Sequence, residues 1–302
     1  MTSVLAVVIT IATSDHSWAR DSIGKVKDVA CRHRMTTDKV TYPQMAGGHQ
    51  YHIMYGLFLV PLVHRVGHSR PAKMLEIGLG CGMKYGAGAS ALLWRELFSQ
   101  TELELWEAEV DKVCVEKHRV ALQSQGINVI VGNQADEHTL AIWVNATGGS
   151  FDAVIDDGSH KNLEIMRSFH ALWPHVRPGG LYFMEDLQVG RYARDGGGHR
   201  YDDSLGNSVV SDVIQSWTEQ LLIRYPPPKL DRFSSPIGNK TDTTQWGSHP
   251  ANTRAIEIRQ KFPLPEGVAW IFCQAEACVI GKADPANTNR PCTNAKFGGR
   301  RR

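Results

Sequence analysis

Along the middle of the chain, short apolar runs of strand length alternate with stretches whose apolar residues recur at helical spacing. The runs are KMLEIGLG at 73–80, LELWEAEV at 103–110, INVIVGN at 127–133, FDAVIDDG at 151–158 and LYFMED at 181–186. Between them lie ASALLWRELFSQ from 89, DKVCVEKHRVALQSQ from 111, EHTLAIWVNA from 137 and NLEIMRSFHALWPHV from 162, the last closed by RPGG as a turn. Strand–helix alternation at this spacing predicts an α/β domain with a parallel sheet and helices on both faces. GVAWIFCQAEACVIGK, 267–282, predicts a terminal strand pair that closes the sheet. Ahead of the first strand, residues 48–66 read as a helix broken by Pro61.

The pattern loosens beyond Asp186. QVGRYARDGGGHRYDDSLGNS is a Gly-rich loop of a length usually kept for lids, and Tyr192, His199 and the glycines 196–198 are its candidate water-excluding residues. A helix is predicted at VVSDVIQSWTEQLL, then a polar stretch over 225–262. The organisation is therefore a signal or anchor segment at 1–20, a helical cap at 21–70, one α/β domain at 71–282 with its lid loop at 187–207, and a disordered basic tail at 283–302.

Composition narrows the function classes. At 302 residues and 42% apolar content the chain can bury one large core. A net charge of +2, with its basic run confined to the terminal GGRRR, argues against nucleic acid as a partner. Val4 to Ala12 is an apolar stretch followed by Ser17-Trp18-Ala19; it suits a short signal peptide without the usual positive start, and equally a membrane anchor or a first strand. Cytoplasm and secretory pathway both stay open. The six cysteines lack zinc-type spacing, and Cys81 and Cys114 are expected to be small buried side chains rather than a bridge.

Candidate chemistry sits at the strand ends, where open α/β sheets bind ligands. Glu76, Gly78, Gly80 and Gly82 form E-x-G-x-G-x-G after the first strand, where glycines let backbone approach a ligand closely. Glu109 ends the second strand, a position that commonly holds ribose hydroxyls, whereas Glu107 is expected at the surface. Two strands then finish in adjacent acids, Asp156-Asp157 and Glu185-Asp186. Crowded carboxylates repel and are costly to desolvate, so either they cap helices in solvent or a hard cation sits among them. Alternation along a strand points Asp156 and Asp157 oppositely, so one of the two is a ligand and Asp156 is the better helix cap. His160, one turn on, has a pKa suited to general-base work near neutrality.

E-x-G-x-G-x-G with an acid after the second strand resembles the class I S-adenosylmethionine-dependent methyltransferase fold, a Rossmann-like sheet. DDGSH with EDL thirty residues later is similar to metal-dependent O-methyltransferases of natural-product sugars and to the cephalosporin hydroxylase-like family. TDK at 37–39 and HQYHIMY at 49–55 resemble the cap segment of those enzymes, and LGCGMKYGAGAS and EVDKVC resemble fungal hard-surface-induced methyltransferase-like proteins. The likeness covers about residues 36–195. It implies S-adenosylmethionine held by Glu76, Gly78, Gly80, Gly82, Glu109, Gln134, Asp136 and Asp156, with Asn133 standing where such families carry Asp. It further implies Mg2+ on Asp157, Glu185 and Asp186, His160 as base, and a small diol-like hydroxyl acceptor such as a sugar or secondary metabolite. The competing expectations are an inactive cofactor-binding protein of the same fold, a hydroxylase-type oxygenase and a nicotinamide oxidoreductase.

Overall fold

The structure, a computed structural model, describes residues 17–32, 37–40, 48–191, 208–222 and 260–288. The expectations for the segment 1–16, for Tyr192, His199 and the rest of the loop to 207, for most of 225–262 and for the tail from 289 lie outside the described residues.

Five parallel strands carry the sheet: β1 (Ala72–Ile77), β2 (Leu103–Glu109), β3 (Ile127–Val131), β4 (Phe151–Asp156) and β5 (Val176–Met184). A hairpin of β6 (Val268–Gln274) and β7 (Ala277–Lys282) adds to them, with β7 antiparallel to β5. The order is β3-β2-β1-β4-β5-β7-β6. All six residues of the central strand β4 are buried, as a strand covered on both faces requires.

Strand parity divides the core in two. Met74, Leu105, Ile155, Phe183 and Val279 face an N-terminal cap that contributes Val26, Met54 and Leu59, together with Trp94 from the helix after the first strand. Leu75, Val154, Tyr182 and Ile280 face the opposite side, where Trp143, Phe169 and Trp217 pack. The cap is built from α1 (Ser17–Arg32), a helical turn His52–Met54, a π-helical stretch Tyr55–Leu59 and α2 (Val60–Gly67). The helices after the strands are α3 (Ala89–Leu97), α4 (Lys112–Ser124), α5 (Glu137–Thr147) and α6 (Asn162–Leu172), followed by α7 (Val210–Leu222). Among the described residues no helix is long and apolar enough to cross a membrane.

Three expectations are corrected. Pro61 does not break the cap helix. The run continues through it because the turn just before is π-helical, a wider turn that absorbs the hydrogen bond Pro61 cannot make. Gly56 in that turn lets the backbone of Ile23 come within 2.4 Å of where a Cβ would stand, which seats α1 on the turn. RPGG is not a turn between helix and strand but the start of β5, where pairing with β4 slips between Phe151↔Val176 and Ala153↔Leu181. Cys81 and Cys114 are bridged, joining the glycine-rich loop after β1 to the first turn of α4, and Cys273 and Cys278 close the β6–β7 hairpin. Their apolar and Gly-rich sequence contexts hid that β1 and β2 bring the two following loops side by side.

Candidate active site

A cleft of about 420 Å3 opens at the carboxyl ends of the strands. Gly78, Gly80 and Gly82 line it from the loop after β1, Glu109 from the end of β2, and Asn133 and Gln134 from the end of β3. Asp157 and His160 follow β4, and Asp186 follows β5, on the same cleft. Gln134 ties two of these loops together: its amide nitrogen donates to Asp156 at 2.9 Å, and its carbonyl accepts from the backbone N–H of Ser159 at 2.8 Å.

Asp157, His160 and Asp186 each offer one ligand atom, all within 4.8 Å of one another. His160 Nε2 lies 3.6 Å from Asp186 Oδ2. Asp186 is also addressed from the cap: Tyr51 donates its hydroxyl to Oδ1 at 2.8 Å, and His49 Nε2 stands 3.4 Å away. Burial raises the Asp186 pKa, but His160, Gln188, His49 and Tyr51 outweigh it and leave the group below the usual carboxylate range. His160 and Asp186 both hold positive φ, 58° and 54°, a conformation that costs a non-glycine residue about 1–3 kcal/mol. Their surroundings keep both in it, and both side chains reach one point in the cleft.

Parity sets four acids on one face, Asp157 among them. Glu76, Glu107, Asp157 and Glu185 fall on the cap face of the sheet, and one fully buried cation meets three of them. Lys39 Nζ is 2.7 Å from Glu185, 2.8 Å from Asp157 and 3.1 Å from Glu76. Burial alone would lower the lysine pKa; Asp157, Glu185 and Glu76 reverse that and raise it well above the ordinary value, so it stays charged. Tyr55 donates to the other Glu185 oxygen, and Ser90 and Trp94 donate to Glu76 at 2.9 and 2.8 Å.

The expected site is therefore redrawn at four residues. Glu185 is turned onto Lys39 and Tyr55, which bond to both of its oxygens, and does not join the Asp157–His160–Asp186 group. Glu76 does not line the cleft; it anchors α3 and Lys39. Asp156 neither caps a helix nor lines the cleft. It is buried below it and accepts from Gln134, Ser168 and Tyr182. Asp136 caps α5 through the N–H groups of His138 and Thr139, in solvent and outside the cleft. Residue-by-residue reading missed Lys39 and Tyr55. Each bonds across more than a hundred residues of sequence, and the only signal was their place in the TDK and HQYHIMY segments.

Glu107 is also corrected: it is fully buried, not at the surface, because β2 has its partners β1 and β3 on both edges and α3 packed on it. Neither of its oxygens finds a well-formed hydrogen bond among the described residues. Burial first, then Glu76 beside it in register, raise its pKa well above the carboxylate range. A folded pKa above the unfolded one means stability that is present below the unfolded value and lost as pH rises through the folded one. Between the two the folded state holds one extra proton, so the wild type should lose about 1.4 kcal/mol per pH unit relative to Glu107→Gln. Thermal unfolding of both proteins from pH 4 upward checks this. Parallel stability curves would mean that Glu107 is ionised in the folded state.

Comparison with known proteins agrees with the geometry. Residues 75–187 match the family described as Methyltransferase domain. The chain is 41% identical over 143 residues to demethylmacrocin O-methyltransferase of Streptomyces fradiae, covering 47% of this chain and 33% of that protein. It is 36% identical over 154 residues to mycinamicin VI 2''-O-methyltransferase of Micromonospora griseorubida, covering 49% and 36%. The chain thus spans about a third of the length of the curated relatives it matches. The MycE methyltransferase from the mycinamycin biosynthetic pathway, crystallised with Mg and SAH, superposes with a TM-score of 0.58 at 23% identity over 86% of this chain and 54% of that one. Strand order, the antiparallel terminal hairpin and the glycine-lined cleft lead to one statement: the chain has the fold of class I methyltransferases, and its residues 75–187 match a methyltransferase domain.

Proposed function

We propose that the protein is an S-adenosylmethionine-dependent, Mg2+-dependent O-methyltransferase acting on a hydroxyl of a small diol-like acceptor, such as a sugar or secondary metabolite. The observation that carries this reading is the Asp157–His160–Asp186 group opening into the same cleft as Gly78, Gly80, Gly82 and Glu109. The O-methyltransferase names of the two relatives support the reaction class.

In this reading the glycine loop approaches the methionine part of the cofactor, and Glu109 accepts from its ribose hydroxyls. The cofactor supplies a methyl already activated by sulfonium charge, so alignment and proton removal are what remains for the protein. Asp157 and Asp186 would hold the cation, whose chemistry there is to lower the pKa of a chelated hydroxyl and fix its orientation. Hard Mg2+ prefers oxygen ligands, which leaves His160 free to take the acceptor's proton. Tyr51, with its pKa pushed up by burial and by Asp186, stays protonated and donates to Asp186. An iron oxygenase would use two His and one carboxylate, whereas this group has one His and two carboxylates.

Calorimetric titration of S-adenosylmethionine with Mg2+ and with EDTA, on wild type and Asp157→Ala, tests it, followed by transfer of labelled methyl to a panel of glycoside diols. Cofactor binding plus a Mg2+ heat that Asp157→Ala abolishes is expected. Cofactor binding with no Mg2+ site would overturn the metal dependence, and no cofactor binding would overturn the enzyme.

A further inference from the structure

Lys39 is the one lysine among the described residues whose side chain is fully enclosed, at 1% exposure, and its position is unusual for a second reason. Its ammonium donates to Asp157 at 2.8 Å and to Glu185 at 2.7 Å, and Glu76 Oε1 stands 3.1 Å away as a third negative neighbour. Two of those acids belong to the cap face alone. Asp157 belongs to both worlds: it is bound to Lys39 at 2.8 Å and is also a member of the group with His160 and Asp186. Glu185 sits beside Asp186 in sequence, yet Lys39 and Tyr55 occupy both of its oxygens.

We propose that Lys39 is a built-in competitor of the divalent cation, an internal ammonium that occupies Asp157 and Glu185 from the cap side and thereby sets how tightly the cleft binds metal. The inference rests on the metal reading above. Two cations sharing one carboxylate repel each other in a poorly screened setting, so the lysine weakens the metal site while stabilising the metal-free protein. The segment 37–40 thereby couples to the metal group through the Lys39–Asp157 contact: what moves Lys39 changes metal affinity.

The physical consequences have opposite signs, which separates this role from a scaffold role. Lys39→Met removes the competitor but leaves three buried acids without their counter-charge. In EDTA the variant is expected to melt below wild type. On addition of Mg2+ its melting temperature is expected to rise by more than that of wild type, with Mg2+ binding at least about tenfold tighter by calorimetry. Mg2+ affinity equal to or weaker than wild type, in a variant whose circular dichroism is native, would overturn the proposal and make Lys39 a support for Asp157.

Should Lys39→Met fail to fold in EDTA, the comparison moves to Glu185→Gln against Lys39→Met/Glu185→Gln, in which a smaller acidic excess is left. Tighter Mg2+ binding in the double variant is again the expected result, and equal binding overturns it. The outcome also separates the two readings. Wild type that takes up Mg2+ while Lys39→Met binds it no better sinks the competitor alone. Absence of Mg2+ heat from every variant removes the metal site itself and the competitor with it. Silent wild type beside a Lys39→Met that binds Mg2+ supports the competitor and overturns the Mg2+ dependence of the wild-type protein.

Discussion

Replacing His160 by alanine should lower the rate of methyl transfer by about 10²–10⁴-fold, the usual contribution of a positioned general base. The affinity for S-adenosylmethionine should change by no more than a few-fold. His160 lines the cleft after β4, in a backbone conformation with φ 58° that is uncommon for a residue other than glycine. That conformation aims Nε2 at the side chain of Asp186, 3.6 Å away, next to the point where Asp157 converges. In the proposed reaction a base at that point would face the acceptor hydroxyl, with Asp157 and Asp186 as the residues that would hold the cation. The measurement is a steady-state rate with labelled cofactor, paired with Mg2+ calorimetry on the same variant. Loss of rate with Mg2+ affinity kept assigns the proton role. Rate and Mg2+ affinity lost together would make His160 a metal ligand, and a rate within tenfold of wild type would remove it from the chemistry.

The reach and the failure of sequence reading have one origin. Period and spacing are local, and the strand–helix alternation, the strand ends and the cleft-lining residues Gly78, Gly80, Gly82, Glu109, Asp157, His160 and Asp186 were legible from them, whereas Gln134 was named through the family resemblance. What was not legible is set by contacts between distant segments. That Glu107 is buried depends on the neighbouring strands and on α3 packed against β2, not on β2 itself. That Glu185 faces away from Asp186 follows from the pleat, a rule the sequence applied to Asp156 and Asp157 but not to the second pair. The Cys81–Cys114 bridge needs two loops to be neighbours, which only the pairing of β1 with β2 arranges. Lys39 could be noticed as part of TDK, but its three acids come from β1, β4 and β5 and meet it only in the folded chain.

Gly78→Ala should destabilise the fold by about 2–5 kcal/mol, the joint cost of positive-φ strain and of overpacking, and should abolish cofactor binding where the variant remains folded. Two independent constraints meet at this glycine. Its φ is 109°, which side chains rarely adopt, and an added Cβ would stand 2.1 Å from the backbone oxygen of Asp157. Neither backbone can give way cheaply. The N–H of Gly78 donates to Ala108 at 2.8 Å, and that of Asp157 donates to Ile77 at 3.0 Å, so both are extensions of the β2–β1–β4 ladder. Displacing Asp157 would disturb its carboxylate as well, so Mg2+ affinity should fall together with that for S-adenosylmethionine. Gly82→Ala is the control, since no atom lies within 4 Å of its Cβ position. It should melt within about 0.5 kcal/mol of wild type, as an unconstrained surface change does. If Gly82→Ala nevertheless weakens cofactor binding, the backbone there approaches the ligand. If Gly78→Ala is as stable as wild type and binds both ligands, the close meeting of the β1 and β4 ends is not what shapes the cleft.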